Sequence, residues 1–426
     1  MKRQLSLALL LCLYNVGWTQ DLIVSNARVI DGTGGVIERG SVAVENGRII
    51  SVSDGNMVIA GAQEIDAQGM TIMPGFIDAH RHLIEGDPVQ WLDEQASDRM
   101  QEFLDAGFTT VLSAGDSLEA ILELRRRLEE NEINGPRLMV TGRVSLARSS
   151  DMARRASGVD PARLDLTRPP NRPMESATPI PHEETLVAVR ELAAAGVDAI
   201  KTVMIVTPGG PELETLSVIA TEAERLGIPS ITHAVTVEDT VAAVEAGTHV
   251  LVHTPHIGQL DQETTLRIVD SGIPMMSTLG VFVPTFAAEN AHIRSRTGHD
   301  NLPRFRDLEP FPIGGHLASA GQGPVNARLL WDAGITYGFG TDTRFLPRDS
   351  LAHELRPLRL VFSAEDIVKI MTEAAIVIGR GDELGSLSLG KLADMVILDG
   401  DPLVDVQALL NVKVVIKGGE IVVDQR

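Results

Sequence analysis

The chain has 426 residues, 44% of them hydrophobic, and a formal net charge of −21 from 58 acidic against 37 basic side chains. That length exceeds one small core and suits a large barrel with a smaller satellite domain. The apolar content excludes a disordered chain, and the acidic balance argues against nucleic acid as a partner and gives no support to an anionic membrane.

Residues 1–20 read as a secretory signal. Lys2 and Arg3 supply a basic start, Leu5 to about Leu13 a largely apolar run, and NVGWTQ a polar close. The run is too short to span a bilayer, so a secreted or periplasmic protein is expected. The only cysteine, Cys12, falls inside this segment, and Leu11 before it does not suit lipidation. Once the signal is removed no thiol remains, so any metal must be held by histidine, carboxylate or something less usual.

From Asp21 to Met73 short strand-prone runs alternate with turn residues, and Asn46-Gly47 is a two-residue hairpin signal. The far end, 385–426, repeats the character in DMVILDGD and NVKVVIKGGEIVV, with Gly418-Gly419 as a second turn. The two ends, 21–73 and 385–426, are expected to form one composite β-sandwich. Between them, over 74–384, strand-like and helical runs alternate as in βα units. GFIDAH, TTVLSAG, PRLMVTG, DAIKTVMI, PSITHAV, THVLVHT, IPMMSTL and ITYGFGTD read as strands. Helices are expected over 90–106, 117–130, 183–195, 211–226, 237–246, 261–270, 323–333 and 364–378. The class is α/β, a (β/α)8 TIM barrel with the sandwich attached. Two long loops, about 144–182 and 281–322, are rich in Arg, Pro, Gly and Ser, as substrate lids or walls often are.

The first barrel strand, MPGFIDAHRHL, carries Asp78, His80 and His82 at alternate positions, so all three share a face at its exit. Barrel active sites form at the carboxyl ends of the strands. There the chain places Lys201 on the fourth strand, His233 on the fifth, His253 on the sixth and Asp342 on the eighth. Taken singly, each has a plain structural explanation. Six such groups at the ends of five strands do not. Four imidazoles and a carboxylate suit Zn²⁺, with metal-activated hydroxide available near neutral pH and Asp342 as general acid/base. A lysine beside a cation must be a neutral amine or chemically changed, and carboxylation by CO₂ would make it an anionic bridge between two metals.

These pieces, together with ITHAVTVEDTVAAVEAGTHVLVHTPH, GFGTDT and GSLSLGKLADMVILDGDPL, resemble the amidohydrolase superfamily in its imidazolonepropionase-like and prolidase-like group, over about residues 21–426. The resemblance implies a first metal on His80, His82 and Asp342, a second on His233 and His253, and a carboxylated Lys201 between them. It implies hydrolysis of an amide or peptide-like C–N bond. Deaminases of the superfamily place a glutamate shortly after the fifth-strand histidine; here Ala234, Val235 and Thr236 follow His233. Dipeptidases specific for Xaa-Pro share a glycine-histidine-rich turn after the third strand; here TGRVSLARSSDMARR stands in its place. Alternatives on the same site are a mononuclear cyclic-amide hydrolase or deaminase using His80, His82, His233 and Asp342, a lactonase or esterase, and a non-catalytic metal-binding protein.

For the substrate, His256, Arg344 and Arg143 are the candidate contacts, with Arg148, Arg154 and Arg155 nearby in sequence. Guanidinium groups at the barrel mouth would clamp a carboxylate, and His256 would contact or polarise a carbonyl. His292, His299 and His316 lie in the late loop, and Tyr337 reads as core. The GTGG at Gly32–Gly35 is a turn, not a phosphate cradle, and no serine nucleophile elbow occurs. The expected partner is a small molecule, and the chain is expected to form a homo-oligomer.

Overall fold

The computed structural model describes residues 22–148, 176–282 and 321–426. The expected signal at 1–20, most of both long loops, and Arg154, Arg155, His292, His299 and His316 lie outside the described residues.

The chain opens with β1 (Leu22–Ile30), β2 (Val36–Glu45), β3 (Arg48–Asp54), β4 (Gln63–Asp66) and β5 (Thr71–Pro74). After a single residue, Gly75, the first barrel strand β6 (Phe76–Arg81) begins. The barrel then runs α1 (Pro88–Glu94), α2 (Ala96–Asp105), β7 (Phe108–Ser113), α3 (Leu118–Glu129), β8 (Arg137–Arg143), α4 (His182–Ala194), β9 (Ala199–Val203), α5 (Pro211–Leu226), β10 (Ser230–His233), α6 (Val237–Glu245), β11 (Val250–Val252), α7 (Gln262–Asp270), β12 (Met275–Met276), α8 (Gln322–Asp332), β13 (Tyr337–Gly338), α9 (Pro347–Val361) and α10 (Ala364–Val377). The strands β14 (Met395–Leu398), β15 (Val412–Lys417) and β16 (Glu420–Asp424) complete the described chain.

The barrel strands pair in chain order from β6 to β13, all parallel. Closure comes from the Ala79 amide donating to the Phe339 carbonyl at 3.0 Å and the Asp342 amide donating to the His80 carbonyl at 2.7 Å. The eighth strand is thereby tied to the first at the two residues that matter most for the site. One continuous core joins the strands to the surrounding helices, with Trp91, Phe103, Phe108, Tyr337 and Phe339 fully buried. Helix starts follow local chemistry: Asp87, Thr236, Asp261 and Ser363 each accept an otherwise orphaned backbone amide, and Ser363 with Asp366 forms a reciprocal capping box.

The terminal sheet runs β16-β15-β14-β5-β1-β2-β3, with β4 also on β1. It has its own core of Leu22, Val24, Val42, Ile49, Ile72, Met395, Val414 and Ile416. Both expected hairpins are present. Asn46 and Gly47 have φ of 50° and 73°, and Gly418 and Gly419 have 56° and 82°, the left-handed pairs that a tight hairpin requires. The two turns also touch: a Cβ added to Gly419 would stand 3.0 Å from Gly47 Cα.

Two elements differ from the sequence expectation. The helix read over 90–106 is broken at Gln95, whose φ of −126° leaves the helical region. Helix α9 was not expected at all; Pro347 at its start and Pro357 inside it obscure the period.

Candidate metal centre

His80 near the end of β6 and His82 just past it are directed to one partner. Their Nε2 atoms lie 3.4 Å and 3.1 Å from Asp342 Oδ1. His253 Nε2 lies 3.8 Å from Asp342 Oδ2 and 2.6 Å from His233 Nδ1. His80, His253 and Asp342 offer ligand atoms all within 4.8 Å of one another. Every one of these side chains is buried, as is Lys201. Six residues from five strands are therefore gathered at the carboxyl end of the barrel.

The backbone at the site is unusual. His253, Thr278 and Asp342 have φ of 75°, 46° and 49°, the left-handed region that non-glycine residues enter only when surrounding contacts hold them. Gly340 permits a close approach: a Cβ there would stand 3.1 Å from His80 Cβ. Thr278 has a second role. Its hydroxyl donates to the Ser277 carbonyl at 2.9 Å, so it can accept from His253 Nδ1 at 2.7 Å. That fixes the proton of His253 on Nδ1 and leaves Nε2 as a lone pair facing the cluster.

The electrostatics favour ligation. Burial, with the Lys201 charge adding to it, lowers His80 to about 3. Burial also holds His233 and His253 well below the usual histidine value, with Lys201 and His233 respectively the next causes. Neutral imidazoles keep a lone pair for a metal. Burial alone would raise Asp342, but its neighbours hold it well below the usual carboxylate range, His80 foremost, then the His82 hydrogen bond and His253. Lys201 is lowered to about 7, chiefly by burial against the pull of Asp342, with Arg143 lowering it further. Its Nζ is buried with no hydrogen-bond partner among the described residues. So are His80 Nδ1 and His82 Nδ1. Orphaned donors of this kind are costly in a finished core. Around four imidazoles and a carboxylate, they fit a centre that takes a divalent metal.

The candidate substrate contacts are placed as follows. Arg143 ends β8 in register with Lys201, and its guanidinium interacts with Asp116, Arg344 and Asp342. It passes through the space that a Cβ on Gly115 would occupy. Arg344 is half-buried two residues past Asp342. His256 stacks on Phe282, ring centroids 3.7 Å apart and planes at 16°, and burial lowers it to about 3. Phe282 meets the His253 ring edge-on at 5.2 Å, so an aromatic wall flanks that side of the cluster. Arg148 makes an exposed ion pair with Glu184 instead. Tyr337 is fully buried core, its hydroxyl paired with Thr254.

Sequence reasoning passed over several residues. Asp116 accepts the Leu83 and Ile84 amides and the Ser113 hydroxyl, securing the chain just past His82. Thr278 and Phe282 gave no local signal. Arg81 did give one: a charged residue between two histidines in an apolar strand.

A closed parallel barrel with a histidine- and carboxylate-rich centre at its carboxyl end is the build of a barrel metalloenzyme. The chain belongs to the Amidohydrolase family, whose model matches residues 71–422. It is 26% identical over 430 residues to an imidazolonepropionase of Geobacillus kaustophilus (strain HTA426), covering 92% of this chain and 91% of that enzyme. A shorter match, 38% over 91 residues, is to a dihydroorotase of Aquifex aeolicus (strain VF5); it spans 21% of this chain and only 21% of that enzyme's length. In fold the chain is similar to a Xaa-Pro dipeptidase crystallised with methionine in its active site, with a TM-score of 0.70 at 21% identity, over 94% of this chain and 99% of that one.

Proposed function

We propose that this chain is an exported metal-dependent hydrolase of an amide or peptide-like C–N bond. The observation that carries the reading is Lys201: a buried amine with no hydrogen-bond partner among the described residues, lowered to about 7, beside neutral imidazoles and an ionised carboxylate. His80, His82 and Asp342 would hold one Zn²⁺, His233 and His253 a second, with Lys201 carboxylated between them. When bound, the metal supplies Lewis-acid charge and a more acidic water. The remaining chemistry belongs to the chain. Asp342, kept ionised by its histidines, accepts a proton from the attacking water and returns it to the departing nitrogen. His256, kept neutral, donates a hydrogen bond to the substrate carbonyl. The His256–Phe282 wall excludes bulk water from that side. Arg143 and Arg344 receive a substrate carboxylate. The names of the relatives, an imidazolonepropionase and a Xaa-Pro dipeptidase, support a small C–N substrate. Export is supported by the basic and apolar residues 1–20. Among the described residues no helix is long and apolar enough to cross a membrane. Association into a homo-oligomer stands as part of this proposal.

One observation favours a second reading, a mononuclear centre: among the described residues, the group whose ligand atoms all lie within 4.8 Å of one another is His80, His253 and Asp342. Metal analysis with a crystal structure separates the two. Two metals per chain with a carbamate on Lys201 support the first, and one metal beside a bare lysine overturns it. Asp342→Asn, assayed at Zn²⁺ concentrations that saturate its weakened site, should still lose hydrolysis of N-acyl amino acids, dipeptides or lactones by about 10²–10⁴-fold. Unaltered turnover in that variant would remove Asp342 from the chemistry.

A further inference from the structure

Arg81 is 1% exposed, and the charges of Asp78 and Glu85 only partly offset its burial. Its Nη1 donates to Thr341 Oγ1 at 3.1 Å, to Thr343 Oγ1 at 2.7 Å and to the Ser350 hydroxyl, while Nη2 donates to the Phe345 carbonyl. The guanidinium carbon sits 5.2 Å from the centroid of the Phe103 ring. Thr341 is also gripped from the other side: its amide and hydroxyl donate to Asp78 at 3.0 Å and 2.7 Å. Thr343 donates onward to Ser350 at 2.7 Å.

Asp342 stands between those two threonines, in a left-handed conformation that it would not choose alone. Burying a guanidinium is costly even with carboxylate charge nearby, and it is a poor route to stability. All four of its described acceptors, by contrast, lie in the segment 341–350 that carries Asp342. We infer that Arg81 is a positioning residue for Asp342. It pins Thr341 and Thr343 so that the Asp342 carboxylate meets His80 and His82. Strand β6 thus contributes twice to the site. His80 and His82 reach Asp342 directly, and Asp78 and Arg81 hold the residues on either side of it. Lysine cannot replace this grip, because a point charge on a flexible stem does not present a planar fork to four acceptors.

The metal part of this inference is independent of the activity, and the catalytic part rests on the hydrolase reading above. The test uses the full chain, stripped with chelator and titrated with Zn²⁺, alongside near-UV circular dichroism and the steady-state kinetics of the best amide substrate found. Arg81→Met and Arg81→Lys should both stay folded, bind Zn²⁺ about 10–100-fold more weakly, and lose kcat by at least about tenfold with KM changed far less. Zn²⁺ affinity and kcat at wild-type levels in folded Arg81→Met would overturn the inference, as would full rescue by lysine or a loss expressed only in KM. If Arg81→Met does not fold, Thr343→Val takes its place. It leaves Arg81 its Thr341 and Phe345 partners and should still weaken Zn²⁺ several-fold; unchanged affinity there also overturns the inference. Should wild-type protein hydrolyse nothing, the Zn²⁺ titration still decides the role of Arg81, and the hydrolase reading fails by itself.

Discussion

Glu354 on α9 offers a sharp test of how the catalytic end of the barrel is held. It is fully buried and accepts the Leu279 amide at 2.8 Å and the Gly280 amide at 2.6 Å, immediately past Thr278, which orients His253. Burial pushes its carboxyl up to about 7, against the lowering effect of those two amides. The unfolded chain would titrate near its ordinary ~4.5, so as pH rises through 4.5 the unfolded state loses this proton first. A group raised in the fold contributes stability that is complete below its unfolded pKa and lost as pH climbs through the folded value. Taking the 4.5 and 7 limits, Glu354 should remove about 2 kcal/mol of stability between pH 5 and pH 7. Glu354→Gln cannot titrate. It gives up some hydrogen bonding, but its stability relative to wild type should rise by that same ~2 kcal/mol over the interval. Urea denaturation of both proteins at half-unit steps from pH 5 to 7.5 measures this, since titrations common to both cancel in the difference. A difference independent of pH, or one of opposite sign, would mean that the two amides outweigh burial and that Glu354 is an ordinary ionised carboxylate.

Thr278→Val should remove the acceptor that keeps the His253 proton on Nδ1, weakening Zn²⁺ about tenfold or more in a chelator-competition titration while the fold persists. Trp91, 1% exposed in the barrel core, should cost about 3–5 kcal/mol of stability when changed to alanine, read from the urea midpoint. Metal removal should lower thermal stability, and returning Zn²⁺ to about 100 times its dissociation constant should restore about 2.7 kcal/mol; a melting temperature indifferent to Zn²⁺ would speak against a bound metal.

Much of this architecture is legible in the chain because its signals are local. All eight barrel strands fall on the apolar runs, and both hairpins sit on their Asn-Gly and Gly-Gly pairs. The six clustered residues stand out because a charged or imidazole group ending an apolar strand has few other uses. What escapes is relational. Thr278 is one threonine among many until its partner 25 residues away is known. Asp116 and Glu354 act on backbone amides that any sequence would supply. Helix α9 hides behind two prolines, because a proline tolerated near a helix end looks locally like a breaker. The substrate contacts depend on which rim residues turn inward, which side-chain periodicity does not encode.

The terminal sheet also has a consequence for the order in which the molecule is made. β5 pairs in parallel with β1 and antiparallel with β14, more than 300 positions later, and then passes through Gly75 alone into the strand bearing His80 and His82. A ribosome that has released only the first four-fifths of the chain has delivered β1 to β13 but not the neighbour that covers β5. The sheet edge next to the first histidine pair therefore stays open until synthesis is nearly finished, and folding that proceeds from the amino end cannot complete the site. A nascent chain arrested before residue 395 should carry every strand that bears a ligand and still be held by a chaperone rather than by Zn²⁺.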